Sequence, residues 1–226
     1  MLGRALHLMH SACLRFSPLE LELSSQFNPA PLTAGWDAWA ELFKPGHQIG
    51  RVGHDHPPYS GQFRFWGARP DKFRYQRENT TWIARQNTVW VYGADDPVVD
   101  AYYNQERSTI YWLDAPVREV LDPACLLPDL EILSVTESQD ALLIRAVARS
   151  LKDIGPDDYA LLMPGASEYR LAIHPSRGVV LSAVSLWQGE VMASYQVSGL
   201  RFDAHIPEET FAPPAGKPVR EQPLLH

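Results

Sequence analysis

Apolar and polar residues alternate over short stretches along most of this chain. Leu19, Leu21 and Leu23 are separated by polar residues, and longer segments rich in small and β-branched residues follow at 179–187 and 191–197. A period of two places alternate side chains on the same face of a β-strand. About ten or eleven such segments, many joined by turn-forming sequences, predict strands in hairpin order. The pattern indicates a large antiparallel sheet and lacks the regular strand–helix alternation of α/β proteins.

Helical patterns are fewer and lie at the start and in the middle of the chain. From Leu2 to Leu14 apolar residues recur at steps of three and four, which predicts an amphipathic helix. A short helix is expected at 36–43, and broken helical turns at 117–127, where prolines limit helix length. Because large sheets curl, these helices are expected to cover the concave face or an open edge of the sheet, which makes the predicted fold class α+β.

One hairpin can be predicted together with its register. Segments 80–85 and 88–92 flank Gln86-Asn87, and these two residues are suited to a tight turn. If they form the turn, Ile83 lies opposite Trp90 across the strand pair. A slip of one residue would exchange the two faces of the hairpin.

The length of 226 residues favours one domain spanning 1–226. Prolines crowd the segment at about 28–60, which is interpreted as an insertion able to act as a lid or to cover a sheet edge. The last residues, at about 217–226, are expected to form a flexible tail.

The net charge of −7 comes from mixed signs, so a broad electropositive surface for nucleic acid is not expected. The local basic cluster of Arg69, Lys72, Arg74 and Arg77 is interpreted as the solvated face of strands, with contact to an anionic ligand as the alternative. No stretch of eighteen apolar residues occurs, so no transmembrane segment is predicted.

The compartment is predicted from the N-terminal residues and the cysteines. The N-terminus lacks the long apolar region and the small-residue cleavage site of a secretory signal, so the chain as written is predicted to be cytoplasmic. If a leader was removed, the location is periplasmic or extracytoplasmic. Cys13 and Cys125 are interpreted as buried thiols, and a disulfide between them stays open for an exported protein.

Aromatic residues are concentrated between Trp36 and Trp112. Several strands are apolar on both faces, which favours either helix packing or a curved sheet that encloses an apolar cavity. Under one assumed register, a row of aromatic side chains would line the inner wall of that cavity, although a plain packed core explains the same residues equally well. The candidate ligand-binding residues are Phe63, Phe65, Phe73, Tyr75, Trp90, Tyr92, Tyr111 and Leu126.

Catalytic chemistry has one weak candidate, the sequence His54-Asp55-His56. Two imidazoles and a carboxylate can bind a metal or transfer protons near neutral pH, but the adjacent prolines favour a solvated loop. The common nucleophile, nucleotide-binding, zinc and redox motifs do not occur in the sequence. No cofactor and no metal are predicted, and the protein is expected to be non-catalytic.

The order of elements resembles a known superfamily. The chain has an N-terminal amphipathic helix, a Leu-Glu-Leu-Glu-Leu strand, a Phe-Arg-Tyr strand and a Leu-Asp-Pro helix. The strongest matches are 70–74 (Pro-Asp-Lys-Phe-Arg), 90–92 (Trp-Val-Tyr), and Ile206-Pro207 followed by 211–216 (Phe-Ala-Pro-Pro-Ala-Gly). As a set, these features resemble the LolA-like lipoprotein-carrier superfamily over roughly Leu6 to Gly216.

The resemblance implies an incomplete, strongly curved antiparallel half-barrel whose concave apolar side is closed by helices and receives acyl chains. The first functional hypothesis is accordingly a carrier or sensor for a lipid or other apolar small molecule, with Leu121–Leu127 and the first helix as lid elements. The second is an enzyme that acts on an apolar metabolite in the same cavity, with His54, Asp55 or His56 in proton transfer. The third is a regulatory module with a protein partner.

Overall fold

The chain is described by a computed structural model that covers residues 1–15, 18–42, 61–68, 72–103, 115–150, 154 and 160–223. It forms two compact units. The first unit is built from Met1–Arg15, Ser24–Ser60 and Ala115–Val197. The second unit is built from Phe16–Leu23, Gly61–Asp114 and Ser198–His226. The expectation of a single domain stays a prediction.

The described residues form helices, strands and 3₁₀ turns. The helices are α1 (Leu2–Arg15), α2 (Pro29–Glu41) and α3 (Ala115–Leu121), with 3₁₀ helices at Pro123–Asp129 and Glu208–Phe211. The strands are β1 (Leu19–Phe27), β2 (Gly61–Ala68), β3 (Lys72–Arg77), β4 (Thr80–Arg85), β5 (Thr88–Gly93), β6 (Val99–Tyr103), β7 (Leu130–Glu137), β8 (Leu142–Ala148), β9 (Glu168–Ile173), β10 (Val180–Trp187), β11 (Glu190–Phe202) and β12 (Val219–Pro223).

The strands follow the order β12-β6-β5-β4-β3-β2-β1-β11-β10-β9-β8-β7 in a twelve-stranded sheet. The pairs from β2 to β6 and from β7 to β11 are antiparallel. The pair of β12 with β6 is parallel. The predicted fold class, α+β with a large antiparallel sheet, is confirmed.

Three elements differ from the sequence-based expectation. Helix α2 begins at Pro29, earlier than the predicted start at 36, because proline is compatible with the first turn of a helix. Strand β6 was not predicted, although its Val99 and Ala101 are buried. The C-terminal segment expected to be a flexible tail contains β12, since its backbone pairs with β6.

An ion pair reinforces the pairing of β12 with β6. Arg220 donates hydrogen bonds to both carboxylate oxygens of Asp100, at 2.6 and 2.9 Å. The Arg220 guanidinium holds the pKa of Asp100 below its usual value. Both side chains are partly exposed, so this ion pair helps to orient β12 against β6 but adds little to the free energy of unfolding.

Helices bury one side of the first unit. The apolar face of α1 is fully or almost fully buried at Ala5, Leu8, Met9 and Ala12. This helix contacts β7 and the 3₁₀ helix Pro123–Asp129, while α2 and α3 contact β10. On β8 and β9 alternate residues are buried: Leu142, Ile144, Ala146, Tyr169, Leu171 and Ile173. The period-two pattern of the sequence reflects this one-sided burial.

A buried carboxylate holds the loop that precedes β9. Glu119 of α3 is fully buried and accepts hydrogen bonds from the backbone N–H groups of Ala160 and Leu161, at 2.9 and 2.7 Å. The hydroxyl of Ser185 on β10 accepts a further bond from the backbone N–H of Met163, at 3.1 Å. These acceptors satisfy buried N–H groups that have no strand partner, which would otherwise destabilise the fold.

Two helices approach loop backbones closely at glycines. A Cβ atom on Gly178 would lie 2.1 Å from the carbonyl oxygen of Leu8 in α1. A Cβ atom on Gly165 would lie 2.0 Å from the carbonyl oxygen of Gly35 in α2. Both Gly178 and Gly165 have left-handed φ angles, of +78° and +77°, which glycine adopts without steric cost. A side chain at either position would push the helix away from the loop.

We expect Gly178→Ala to lower the free energy of unfolding by more than Gly189→Ala. Both glycines have left-handed φ angles, but a Cβ atom on Gly189 would meet nothing within 4 Å. The backbone strain of about 1–2 kcal/mol is therefore common to the two variants. Only Gly178→Ala adds the clash with α1, at a further cost of about 1–3 kcal/mol. Urea denaturation measures both values, and equal losses would contradict the proposed contact.

The turn that ends at Gly178 is organised by a histidine. The Nδ1 atom of His174 accepts hydrogen bonds from the backbone N–H groups of Ser176 and Arg177, at 3.3 and 3.2 Å. Burial, followed by the charge of Arg177, lowers the pKa of His174 below its ordinary value. Arg4 of α1 donates a hydrogen bond to the carbonyl of Pro175 in the same turn, at 3.1 Å. The neutral imidazole therefore shapes the turn on which α1 rests.

Protonation of His174 is expected to destabilise the protein. Its pKa is lower in the folded chain than in the unfolded chain, so the unfolded chain binds more protons as the pH falls below about 6.5. The stability contributed by the neutral ring is present above that pH and is lost as the pH falls through the folded-state pKa. The variant His174→Asn keeps an oxygen acceptor and does not titrate.

The measurement is the free energy of unfolding of the wild type and of His174→Asn from about pH 8 to about pH 5. The wild type should lose more stability on acidification than the variant does. Parallel curves would show that this imidazole does not carry the effect.

Candidate functional site

A cluster of aromatic rings lies on β2, β3 and β4 of the second unit. The ring centroids of Phe63 and Tyr75 are 5.7 Å apart, and those of Phe65 and Phe73 are 5.8 Å apart. Tyr75 also contacts Trp82, at 5.1 Å between centroids. We call these five residues the aromatic wall. Such offset and tilted ring pairs stabilise each other beyond the area that they bury.

The strand register places these rings on one face. Phe65 pairs with Tyr75, and Tyr75 pairs with Trp82 on the next strand. Residues directly opposite each other in an antiparallel pair project to the same side of the sheet. Phe63 and Phe73 lie two residues away from Phe65 and Tyr75 along the same strands, so they share that side.

The wall extends to β1 through the alternation of its leucines. Glu22 of β1 forms an ion pair with Arg64 of β2, with 2.7 Å between the charged atoms, so these two side chains share a face. Leu21 and Leu23 therefore project to the opposite face, the one that carries Phe63 and Phe65. Both leucines are buried. On this side of the second unit, apolar side chains extend from β1 to β4, and Arg77 lies among them, opposite Phe63.

A glycine lies beside the rings of Phe65 and Phe73. Gly67 pairs with Phe73, and a Cβ atom at this position would lie 2.8 Å from the ring of Phe65. Phe63 and Phe65 are fully buried, and Phe73 and Tyr75 are nearly so. The missing side chain of Gly67 thus provides the space into which the Phe65 ring packs.

Two of the predicted wall residues lie on the other side of the sheet. Ile83 pairs with Trp90, as predicted from the turn, and Thr81 pairs with Tyr92. Ile83 also pairs with Arg74, which alternates with Phe73 and Tyr75 along β3. Trp90 and Tyr92 are therefore not part of the aromatic wall, and the expectation of a single row of these rings is wrong.

The remaining candidate residues do not join the wall. Leu126 is fully buried in the 3₁₀ helix Pro123–Asp129 of the first unit. Tyr111 and the sequence His54-Asp55-His56 lie outside the described residues. Trp82 belongs to the wall but was not among the predicted residues. Its position in the alternating segment 80–85 could have identified it.

The described residues offer little for nucleophilic or metal chemistry. Burial, followed by the charges of Glu119 and Asp122, raises the pKa of the Cys125 thiol to about 12. This thiol is therefore protonated at neutral pH and is a poor nucleophile. Within the described ranges, no group of three or more His, Cys, Asp or Glu side chains could hold a metal ion. Among the same residues, no helix is both long enough and apolar enough to cross a bilayer.

Comparison with known proteins gives similarity in structure only. No family model matches the chain, and no curated protein matches it in sequence. The Pseudomonas aeruginosa MucA/MucB complex contains a similar chain, with a TM-score of 0.50, 11% identity and coverage of 93% of this chain. The chain has a LolA-like fold. The predicted resemblance is thus confirmed for the fold, and identity this low carries no function with it.

Two further solved structures have lower TM-scores. An uncharacterized conserved protein from Thermus thermophilus has a TM-score of 0.49 and 10% identity, with coverage of 98% of this chain and 100% of that one. A LolA superfamily protein from Nitrosomonas europaea has a TM-score of 0.35 and 7% identity, with coverage of 93% and 97%. The present chain spans 60% of the matched chain in the MucA/MucB complex.

We expect Gly67→Ala to lower the free energy of unfolding by about 1–3 kcal/mol, because the added methyl group displaces the ring of Phe65. A double-mutant cycle with Phe65→Leu tests this cause. The shorter leucine side chain leaves room for the methyl group, so the cost of Gly67→Ala should be smaller in that background. Additive costs in urea denaturation would show that the two positions do not interact.

Proposed function

We propose that this LolA-like protein binds a lipid or another apolar small molecule against the aromatic wall and acts as a non-catalytic carrier or sensor. The observation that supports the proposal is the largely apolar face of β1 to β4, on which the rings of Phe63, Phe65, Phe73, Tyr75 and Trp82 lie together. Because Phe63, Phe65, Phe73 and Tyr75 are buried, an acyl chain reaches their rings only if the residues that cover them move aside.

The energetics of such a contact are favourable. Burying a methylene group stabilises a complex by about 0.8 kcal/mol. Even partial burial of a long chain can therefore exceed the cost of association.

The experiment combines ligand detection with a matched pair of variants. Native mass spectrometry of protein purified from its host should show an additional mass that organic solvent extracts. A fluorescent long-chain fatty acid should then bind the emptied protein. Tyr75→Leu should weaken this binding severalfold, because it removes a ring from the wall. Trp90→Leu removes an aromatic ring from the other face of the sheet and should leave binding unchanged.

Three outcomes would contradict the proposal. The first is an empty protein that does not take up the fluorescent fatty acid. The second is an equal loss of binding in the two variants. The third is unchanged binding in Tyr75→Leu with the fold intact by circular dichroism. Each would leave the aromatic wall as an ordinary part of the core.

A protein-interaction role is the second candidate. One similar chain of known structure comes from a complex of two proteins, MucA and MucB. In the present chain β7 is the last strand in the sheet order, and its Leu133 is 51% exposed. An exposed apolar residue on a terminal strand suits pairing with another chain. A ligand-free protein with a stable protein partner that Leu133→Lys releases would favour this role over lipid binding.

The enzymatic alternative keeps the same apolar face and assigns proton transfer to His54, Asp55 or His56. Replacing His54 and His56 by alanine discriminates the two roles. A carrier should retain its affinity for the fluorescent fatty acid, whereas an enzyme should lose turnover with little change in binding. The cytoplasmic location likewise remains a prediction, which cell fractionation tests.

A further inference from the structure

The face of the second unit opposite the aromatic wall carries cationic side chains around a tryptophan. Arg74 on β3 pairs with Trp66 on β2 and with Ile83 on β4, so these side chains project to the same side. Arg64, Lys72 and Arg85 lie two residues from them along the same three strands and share that side. We call Arg64, Trp66, Lys72, Arg74 and Arg85 the cationic face.

Most of these cations have a carboxylate partner. Lys72 contacts Glu208 at 2.7 Å, and Arg85 contacts the same carboxylate at 3.4 Å. Lys72, the closer cation, lowers the pKa of Glu208. Arg64 is paired with Glu22 of β1, at 2.7 Å. Glu208 begins the 3₁₀ helix Glu208–Phe211, which packs against β3 and β4.

Arg74 is the exception. Its Nη1 atom donates a long hydrogen bond of 3.4 Å to the carbonyl oxygen of Thr210, and its Nε atom is buried without an acceptor among the described residues. No carboxylate in the described part of the chain forms an ion pair with it. The guanidinium lies 5.5 Å from the centre of the Trp66 ring, and that of Arg64 lies 5.9 Å from the same ring.

Such an arrangement is costly for a folded protein without a ligand. A guanidinium carries five N–H donors, and donors that lose water without gaining an acceptor destabilise the structure. The neighbouring cations add to the cost by like-charge repulsion. Arg64 and Arg85 keep 57% and 42% of their side chains exposed, so both can reach a group that lies beside Arg74. An anion held between them would supply the missing acceptors.

We propose that the cationic face binds a phosphate group, with Arg74 as the central ligand and Arg64, Lys72 and Arg85 around it. Guanidinium groups bind phosphate oxygens in a two-pronged geometry, and a tryptophan holds the guanidinium plane in place by cation–π contact. Glu208 competes with the phosphate group, because it occupies Lys72 and Arg85. The site lies on the opposite face of the sheet from the aromatic wall, so its failure would leave the lipid-binding proposal intact.

The experiment titrates the full chain with inorganic phosphate at constant ionic strength, with chloride as the reference, and measures binding by calorimetry. Arg74→Gln should weaken phosphate binding by about tenfold or more, because it removes a charge-assisted pair of hydrogen bonds. Glu208→Gln should tighten binding, since it releases Lys72 and Arg85. Arg201→Gln is the matched control, because Arg201 is an exposed arginine of the same unit that is paired with Glu20 at 2.6 Å.

A second arm separates the two sources of a phosphate group. Sedimentation with vesicles of phosphatidylcholine is compared with sedimentation with vesicles that also contain phosphatidylglycerol. Binding only to the anionic vesicles, lost in Arg74→Gln, would support the site and identify a lipid headgroup. Binding of inorganic phosphate without vesicle binding would support the site and identify a soluble phosphate compound. Absence of both, or equal responses of Arg74→Gln and Arg201→Gln, would overturn the proposal.

Discussion

The register of β2, β3, β4 and β5 is the constraint on which the second unit depends. Two-residue turns pair Arg77 with Thr80 and Arg85 with Thr88, and this fixes which side chains share a face. Through this register, the aromatic wall collects on one side together with Arg77, while Arg64, Lys72, Arg74 and Arg85 lie on the other side. A slip of one residue in either hairpin would mix the two sets. The aromatic wall and the cationic face are therefore two consequences of one pairing pattern.

In the first unit the corresponding constraint is the close approach of helices to loops. Gly178 and Gly165 allow the backbones of α1 and α2 to touch the turns that they cover, at distances that no side chain permits. Glu119 and Ser185 supply acceptors for the N–H groups of the loop before β9. The two glycines leave space for the close approach of the helices. The oxygen atoms of Glu119 and Ser185 accept hydrogen bonds from backbone N–H groups, so the loop before β9 can be buried without leaving these groups unpaired.

The aromatic wall shows what the alternation of apolar and polar residues predicts by itself and what it does not. Each of Phe63, Phe65, Phe73 and Tyr75 was predicted to line the same wall, and the structure places the four rings together. Trp90 was predicted to belong to that wall as well. The predicted turn sets Trp90 opposite Ile83, and Ile83 projects to the face opposite the wall, so the turn prediction was already inconsistent with this assignment. Counting residues through the turn between β3 and β4 would have put Trp82, and not Trp90, beside Tyr75.

The sequence by itself determined the fold class, the strand segments and the LolA-like resemblance, because alternation and turn chemistry are local properties of neighbouring residues. It also marked Arg74 as part of a basic cluster, without distinguishing a paired arginine from an unpaired one. Only the tertiary structure decided that Lys72 and Arg85 have Glu208 as a partner while Arg74 meets a carbonyl oxygen and a tryptophan. Such pairings join residues far apart in the chain, and their distances follow from strand register and helix docking, which no local pattern encodes.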